Sequence, residues 1–287
     1  MKWLLLLGIF TILSCCSKMD VLNFTIPKSG YQTYKDIAYG SDPRNHLDIY
    51  VPDSVKEKPA PVILFFYGGS WQEGSKDDYL FVAQALASKG YVVVIPDYRI
   101  YPANYFPDFM MDAARTLRFV HENIAHYQGD NQEIFVAGHS AGAYIAVMLA
   151  VNDAYIKAEQ ANSAWIKGVI GISGPYDFLP FRDDIKAIFS KEKDELTQPI
   201  HFVHKGLPPF LLATGTDDTI VLPRNTRNIT KKLQENQVEV TKKEYEGVGH
   251  VGIILSLARG FRGKTSLLEE ISQFVNSHTA KHNVSPE

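Results

Sequence analysis

Ser140 sits in the segment "FVAGHSAGAYIAVMLA", with a glycine two residues away on each side. A serine hydroxyl is a weak nucleophile near neutral pH, so it needs a base to take its proton and a carboxylate to orient that base. An apolar run that ends in Gly138-His139-Ser140-Ala141-Gly142 and passes at once into a second apolar run has the pattern of a strand–turn–helix nucleophile elbow. Such a turn presents the hydroxyl at a helix N-terminus, whose positive dipole end favours developing negative charge. Among nine histidines, His250 suits the base, because "EGVGH" follows the last expected strand and lies after the serine in chain order. His139 adjoins Ser140 and is expected to point away from its hydroxyl across the tight turn. "LLATGTDDTIV" puts Asp217 and Asp218 just after an apolar strand. Either can orient the histidine, the other serving as a loop cap.

These residues must be brought together by the elements around them. Residues 62–66 are short, apolar and β-rich, which predicts a strand buried on both faces. A helix over 77–88 follows, then a strand in "YVVVIPDY", a helix over 109–124, a strand over 134–137 and a helix over 141–151. Strands over 169–172, 210–214 and 238–245 alternate with helices over 225–234 and 264–275. Two earlier strands, 34–39 and 47–51, flank the turn-rich "GSDPRN" and should pair as a hairpin. Alternation of this kind predicts an α/β fold, a mostly parallel sheet with helices on both faces and ligands at the carboxyl ends of its strands. Residues 178–208 fit neither period and are expected to form a small cap.

Composition narrows the function classes. The 287 residues carry 45% hydrophobic and 21% charged side chains, a formal charge of -3 and a pI near 6.3. That balance has no basic field for nucleic acid. The histidines do not cluster at zinc-site spacing, so no metal and no organic cofactor is expected. At the N-terminus, Lys2 precedes an apolar run over 3–13, then Ser14, Cys15 and Cys16, which reads as an export signal. "ILSC" resembles the bacterial lipoprotein signal, which implies lipid on Cys15 as the mature N-terminus and a membrane-anchored protein of the cell envelope. The expected order is a signal over 1–14, a tether over 15–30 and a catalytic domain over 31–287. Adjacent cysteines, the only two in the chain, do not make a disulfide framework.

Taken together, "YGGSW", "DYR", "GHSAG", "ISGPYDF", "GTDDTIV" and "GVGH" resemble the α/β-hydrolases of the carboxylesterase group that share an HGGxW loop. The likeness runs over residues 34–255 and extends to bacterial esterase-like proteins, kynurenine formamidases and plant isoprenylcysteine methylesterases. It implies a serine esterase that hydrolyses small-molecule carboxylic esters through an acyl-enzyme, with short to medium acyl groups because the cap is small. An aryl formamidase or other amidase with the same triad is the alternative, and a catalytically silent binding protein is the alternative from another class. The resemblance selects Asp218 as the acid, with Val221 completing its motif. It also implies that Gly68, Gly69 and Ala141 supply backbone N–H groups to an oxyanion hole. Tyr67 stands where the family has histidine and is expected to hold the loop by packing or a hydrogen bond. Tyr67 and Trp71 are the candidate substrate-side residues, Trp71 with packing as an equal role. Arg99 and Asp112 are expected to pair, and Asp177 to orient a loop.

Overall fold

The computed structural model describes residues 22–55 and 58–279. Within them, Tyr31–Ala38 (β1), His46–Pro52 (β2), Ala60–Phe66 (β3), Val92–Pro96 (β4), Gly129–His139 (β5), Ile166–Ile172 (β6), Phe210–Gly215 (β7) and Val240–Tyr245 (β8) form one sheet. The order across it is β1-β2-β4-β3-β5-β6-β7-β8. β1 and β2 form the expected antiparallel pair, β2 runs antiparallel to β4, and every pairing from β4 to β8 is parallel. The longer helices are Leu80–Ala87 (α1), Asp108–Asn123 (α2), Ala141–Val151 (α3), Arg224–Glu235 (α4), His250–Leu255 (α5) and Leu267–His278 (α6). This is the α/β-hydrolase fold.

The central strands are apolar throughout because both of their faces are covered. In β3, Val62 to Phe66 are all essentially inaccessible to solvent, and so are the facing Val92, Val93 and Val94 of β4. The edge strand β8 reads VTKKEY and is half-exposed, with Lys242 and Lys243 protecting its open edge from pairing with another chain. All eleven residues of α3 are buried, which is why this helix carries no polar face. α4 shows the opposite: Asn225, Thr226, Ile229, Thr230 and Leu233 turn inward at helical spacing and the rest is polar.

The site is positioned by the reversal in strand order. β3 lies between β4 and β5, so the chain leaves the end of β3 toward one side of the sheet and later returns to build β5 on the other. The loops after β3 and β5 are therefore neighbours at the carboxyl edge, with Phe66 in register with Gly138. This is the topological switch point at which open α/β sheets bind ligands.

Three expectations are corrected. β5 runs from Gly129 rather than from residue 134, because the polar stretch before Ile134 is drawn into the sheet by pairing of Gly129 with Ala60. The segment expected as a free tether is, in its described part, laid against the domain: Ile26 is buried and Asn23 Nδ2 donates to Asp77 O at 2.8 Å. An apolar side chain beside β1 has more to gain from the core than from water. The first turn of the helix expected over 77–88 is a separate 3₁₀ turn, Lys76–Tyr79, drawn tight by the Asp78 carboxylate accepting from Ser75 N at 2.9 Å. The export signal and Cys15 lie outside the described residues. Among the described residues no helix is long and apolar enough to cross a membrane.

Candidate active site

β5 ends at His139, Ser140 takes φ 56° and ψ −122°, and α3 begins at the next residue. A non-glycine residue in that region of backbone space is strained by about 1–3 kcal/mol and persists only where its surroundings impose it. Here the packing of strand against helix imposes it, and the two flanking glycines make room for it. A Cβ on Gly138 would sit 2.2 Å from Gly142 O, and one on Gly142 would sit 2.0 Å from Phe66 O. Strand, turn and helix can approach this closely only without those side chains.

His250 opens α5 and reaches back across the carboxyl edge. Its Nε2 lies 2.9 Å from Ser140 Oγ, and its Nδ1 lies 2.8 Å from Asp218 Oδ2. Ser140, Asp218 and His250 are all buried. The other carboxylate oxygen of Asp218 accepts from the N–H groups of Ile220 at 3.0 Å and Val221 at 2.8 Å. Burial alone would raise the Asp218 pKa, but the hydrogen bond and charge of His250, with the Val221 N–H, outweigh it and hold the carboxyl below its usual range. The loops carrying Asp218 and His250 cross at Gly215, where a Cβ would meet Val248 O at 1.9 Å. Asp217 N donates to Val248 O at 3.1 Å, which turns the Asp217 side chain outward, where it accepts from Thr216 Oγ1. Of the two candidate acids, only Asp218 meets the histidine.

The loop after β3 departs in part from expectation. Gly68 N–H donates to the Tyr79 hydroxyl at 3.1 Å, so it is not free to bind a substrate oxygen. The amides of Gly69, Ser70 and Ala141 have no acceptor among the described residues, and Ser70 lines the space beside Ser140. Ser70 is not distinguished by the sequence, because nothing in "YGGSW" says which of three successive amides is left without an acceptor. The second correction concerns Tyr67, which is wholly buried and lines no cavity at Ser140. Its ring stacks on Tyr98, its hydroxyl accepts from Arg44 Nη2 at 2.7 Å, and it donates to Asp97 Oδ1 at 2.8 Å. Burial, with Tyr98 and Asp97 adding to it, pushes the phenol well above its ordinary pKa and keeps it a donor. Tyr67 is therefore a support for the glycine loop and does not touch substrate.

Tyr67→Phe keeps the ring and removes one hydroxyl. Arg44 retains Tyr98 O and Gly74 O as acceptors, and Asp97 retains the Lys76 N–H. The expected result is a stability loss of about 1.5–3 kcal/mol, the range for a hydrogen bond to a charged group, with kcat within several-fold of the parent. Tyr67→Ala should cost about 3–5 kcal/mol and lower kcat further, since it leaves a cavity under the loop. Urea melts and steady-state rates on both variants check this.

Trp71 is buried and lines the space beside Ser140, stacked on Phe109 and on Phe178. Arg99 pairs with Asp112 as expected, Nη2 to Oδ1 at 2.8 Å, and also with Asp108 at 3.4 Å. Asp177 accepts from Asn228 Nδ2 at 2.6 Å, tying the "GPYDF" loop to α4.

His139 turns away from the Ser140 hydroxyl and has a task that the sequence does not reveal. Its Nε2 lies 3.1 Å from the carbonyl of His250, so that nitrogen carries the proton and donates, and the two rings lie 4.8 Å apart. Full burial, then the nearby His250, depress its pKa to about 3. A base whose folded pKa lies below its unfolded value contributes stability that is present above the unfolded pKa, about 6.5, and is lost as pH falls toward 3. The stability of the wild type measured by urea unfolding should thus fall steadily below pH 6.5, and the slope should be reduced by up to one proton in His139→Gln. Equal slopes for the two proteins would refute the assignment.

Comparison with known proteins finds a family and several esterase-like relatives. The BD-FAE family model matches residues 47–233. The probable isoprenylcysteine alpha-carbonyl methylesterase of Oryza sativa subsp. japonica is 29% identical over 272 residues, covering 87% of this chain and 65% of that protein. The kynurenine formamidase of Salmo salar is 27% identical over 250 residues, covering 83% of this chain and 81% of that protein. This chain thus spans slightly less than two thirds of the rice methylesterase. Among solved structures, an inhibited esterase B from Lactobacillus rhamnosis superposes with a TM-score of 0.76 at 18% identity, covering 94% of this chain and 95% of that one, a likeness of fold.

Proposed function

The chain belongs to the BD-FAE family, and from that premise we propose that it is a serine hydrolase of the carboxylesterase type. The observation that carries the reading is the continuous relay from Asp218 through His250 to Ser140, with both links within 2.9 Å. In this reading Ser140 Oγ attacks the acyl carbonyl while His250 Nε2 takes its proton. Asp218 holds the imidazole in the tautomer with its proton on Nδ1 and stabilises the imidazolium that forms. The negative charge on the carbonyl oxygen falls to the amides of Gly69, Ser70 and Ala141. His250 then protonates the leaving oxygen, the alcohol departs, and water attacks the acyl-serine by the same route in reverse. Short to medium acyl esters are the proposed substrates.

A second reading is favoured by the kynurenine formamidase relative: the same residues would cleave a formyl amide. A fluorophosphonate that labels Ser140 separates either hydrolase from a silent binding protein. Paired kinetics on aryl butyrates and aryl formamides then separate the two hydrolases, and the ester reading expects the butyrate to have the higher kcat/KM. An unlabelled Ser140 in folded protein would sink both. For the N-terminus, the proposal is lipid on Cys15 and retention at a membrane; an unmodified Cys15 in the mature chain by mass spectrometry would count against it.

A further inference from the structure

Two cavities of different size meet at Ser140. One, of about 70 Å³, is lined by Ser70, Trp71, Ala141, Phe178 and Ile185 together with the serine. The other, of about 470 Å³, is lined by Gly69, Tyr79, His250, Val251 and Ile254, again with the serine. His250 borders only the larger one.

That asymmetry assigns the two halves of the substrate. The proton that His250 takes from Ser140 must be handed to the leaving oxygen, so the leaving group lies on the His250 side. The acyl group is left the opposite space. Building on the serine-hydrolase reading above, the geometry points to a short acyl group, about two to four carbons, held in the small cavity, and a bulky alcohol in the large one, whose lining mixes Tyr79, Val251 and Ile254 with Glu73 and Asp78. A cavity of about 150 Å³ takes a benzene ring, so one half that size takes only a few non-hydrogen atoms. The larger space falls in the range of about 300–1,000 Å³ typical of small-molecule sites.

The inner wall of the small cavity does not yield, while its outer rim is formed by the exposed Arg182 and Ile220. Trp71 is stacked between Phe109 and Phe178 and meets Tyr144 and Phe189 edge-on, so a longer chain cannot be admitted by turning one ring. Val251, which borders only the large cavity, is about half exposed at 54%, apolar surface that a bound alcohol would cover, while Ile220, 47% exposed, stands at the rim shared by both cavities. The polarity is opposite to that of a methyl ester of a long acid. It is shared by a formyl amide, formyl being the smallest acyl group.

The test uses two isomeric esters with the same atoms arranged in opposite senses. Octyl acetate places eight carbons in the alcohol, and methyl nonanoate places nine in the acid. One surplus methylene in a confined apolar pocket is worth about tenfold or more in kcat/KM, so octyl acetate should be preferred by at least about 30-fold. Equal rates, or preference for methyl nonanoate, would overturn the inference while leaving the serine-hydrolase reading intact. Hydrolysis of neither, with no phosphonate labelling, would overturn both. Ile185→Ala, which widens the small cavity, should move the octyl acetate to methyl nonanoate ratio toward unity by about tenfold. Val251→Trp, an exposed position that should still fold, should lower the ratio of octyl acetate to ethyl acetate by a similar factor. An unchanged ratio in Val251→Trp would count against placing the alcohol there.

Discussion

Ser140→Ala is expected to lower kcat for ester hydrolysis by on the order of 10⁶, with His250→Ala close behind, because residues acting as one unit each remove nearly the whole of its effect. Asp218→Asn should cost about 10⁴: the amide keeps the shape of the carboxylate but favours the wrong tautomer of His250 and cannot stabilise its charge. The fold should survive the serine change, since Ser140 holds its place in the turn through its backbone, with its N–H donating to Ile172 O at 2.9 Å and its carbonyl accepting from Tyr144 N at 3.0 Å. Asp217→Asn is the internal control. Its side chain is exposed and, among the described residues, is bonded to Thr216 Oγ1 alone, so a change of less than about threefold is expected, within the range in which a surface substitution moves free energy by about 0.5 kcal/mol. Steady-state rates on a short aryl ester, with thermal melts to show that each variant is folded, decide the matter. A folded Ser140→Ala protein with undiminished turnover would remove the nucleophile from the reading, and a larger loss at Asp217 than at Asp218 would reverse the assignment of the acid.

Gly69→Ala should reduce kcat by about 10² to 10³ and leave KM within a few-fold, the signature of losing a donor used in the transition state. The reason is steric. Gly69 has φ +134°, a backbone conformation that side chains rarely adopt, and a Cβ there would lie 2.1 Å from Glu73 O. The turn cannot absorb the intrusion, because Gly69 O already accepts from Gln72 N at 2.9 Å and from Glu73 N at 3.0 Å. The loop must therefore shift, and the Gly69 amide with it. Gly68 is held differently: its amide is tied to Tyr79, and a Cβ would come within 3.0 Å of the Ser140 Cβ. A variant in which KM rises while kcat stays within threefold of the parent would show that Gly69 shapes ground-state binding and is not an oxyanion donor.

What the sequence determined by itself is what neighbouring residues decide between them. The alternation of strands and helices, the elbow at Ser140 and the full burial of α3 follow from patterns a few residues long, in which side-chain period and glycine placement leave little choice. The position of His250 after the last strand was legible for the same reason, since loops at the carboxyl ends of parallel strands share one edge. Asp217 and Asp218 could not be separated by spacing. Adjacent residues in a turn face opposite ways, and the inward one was settled by Gly215, Val248 and the crossing of two loops; the family resemblance had anticipated that outcome without the reason for it. Tyr67 and Gly68 show the remainder. Their partners are not chain neighbours: Asp97 meets Tyr67 because β4 pairs with β3, Arg44 comes from the turn before β2, and Tyr79 folds back from the loop after β3. The two unequal cavities arise in the same way, from Phe178 stacking on Trp71 and Ile185 closing the lining on one side of the serine, and α5 bordering the other. Side-chain period is a local property, whereas the volume left between packed elements is set by all of them at once, and only the tertiary structure could supply it.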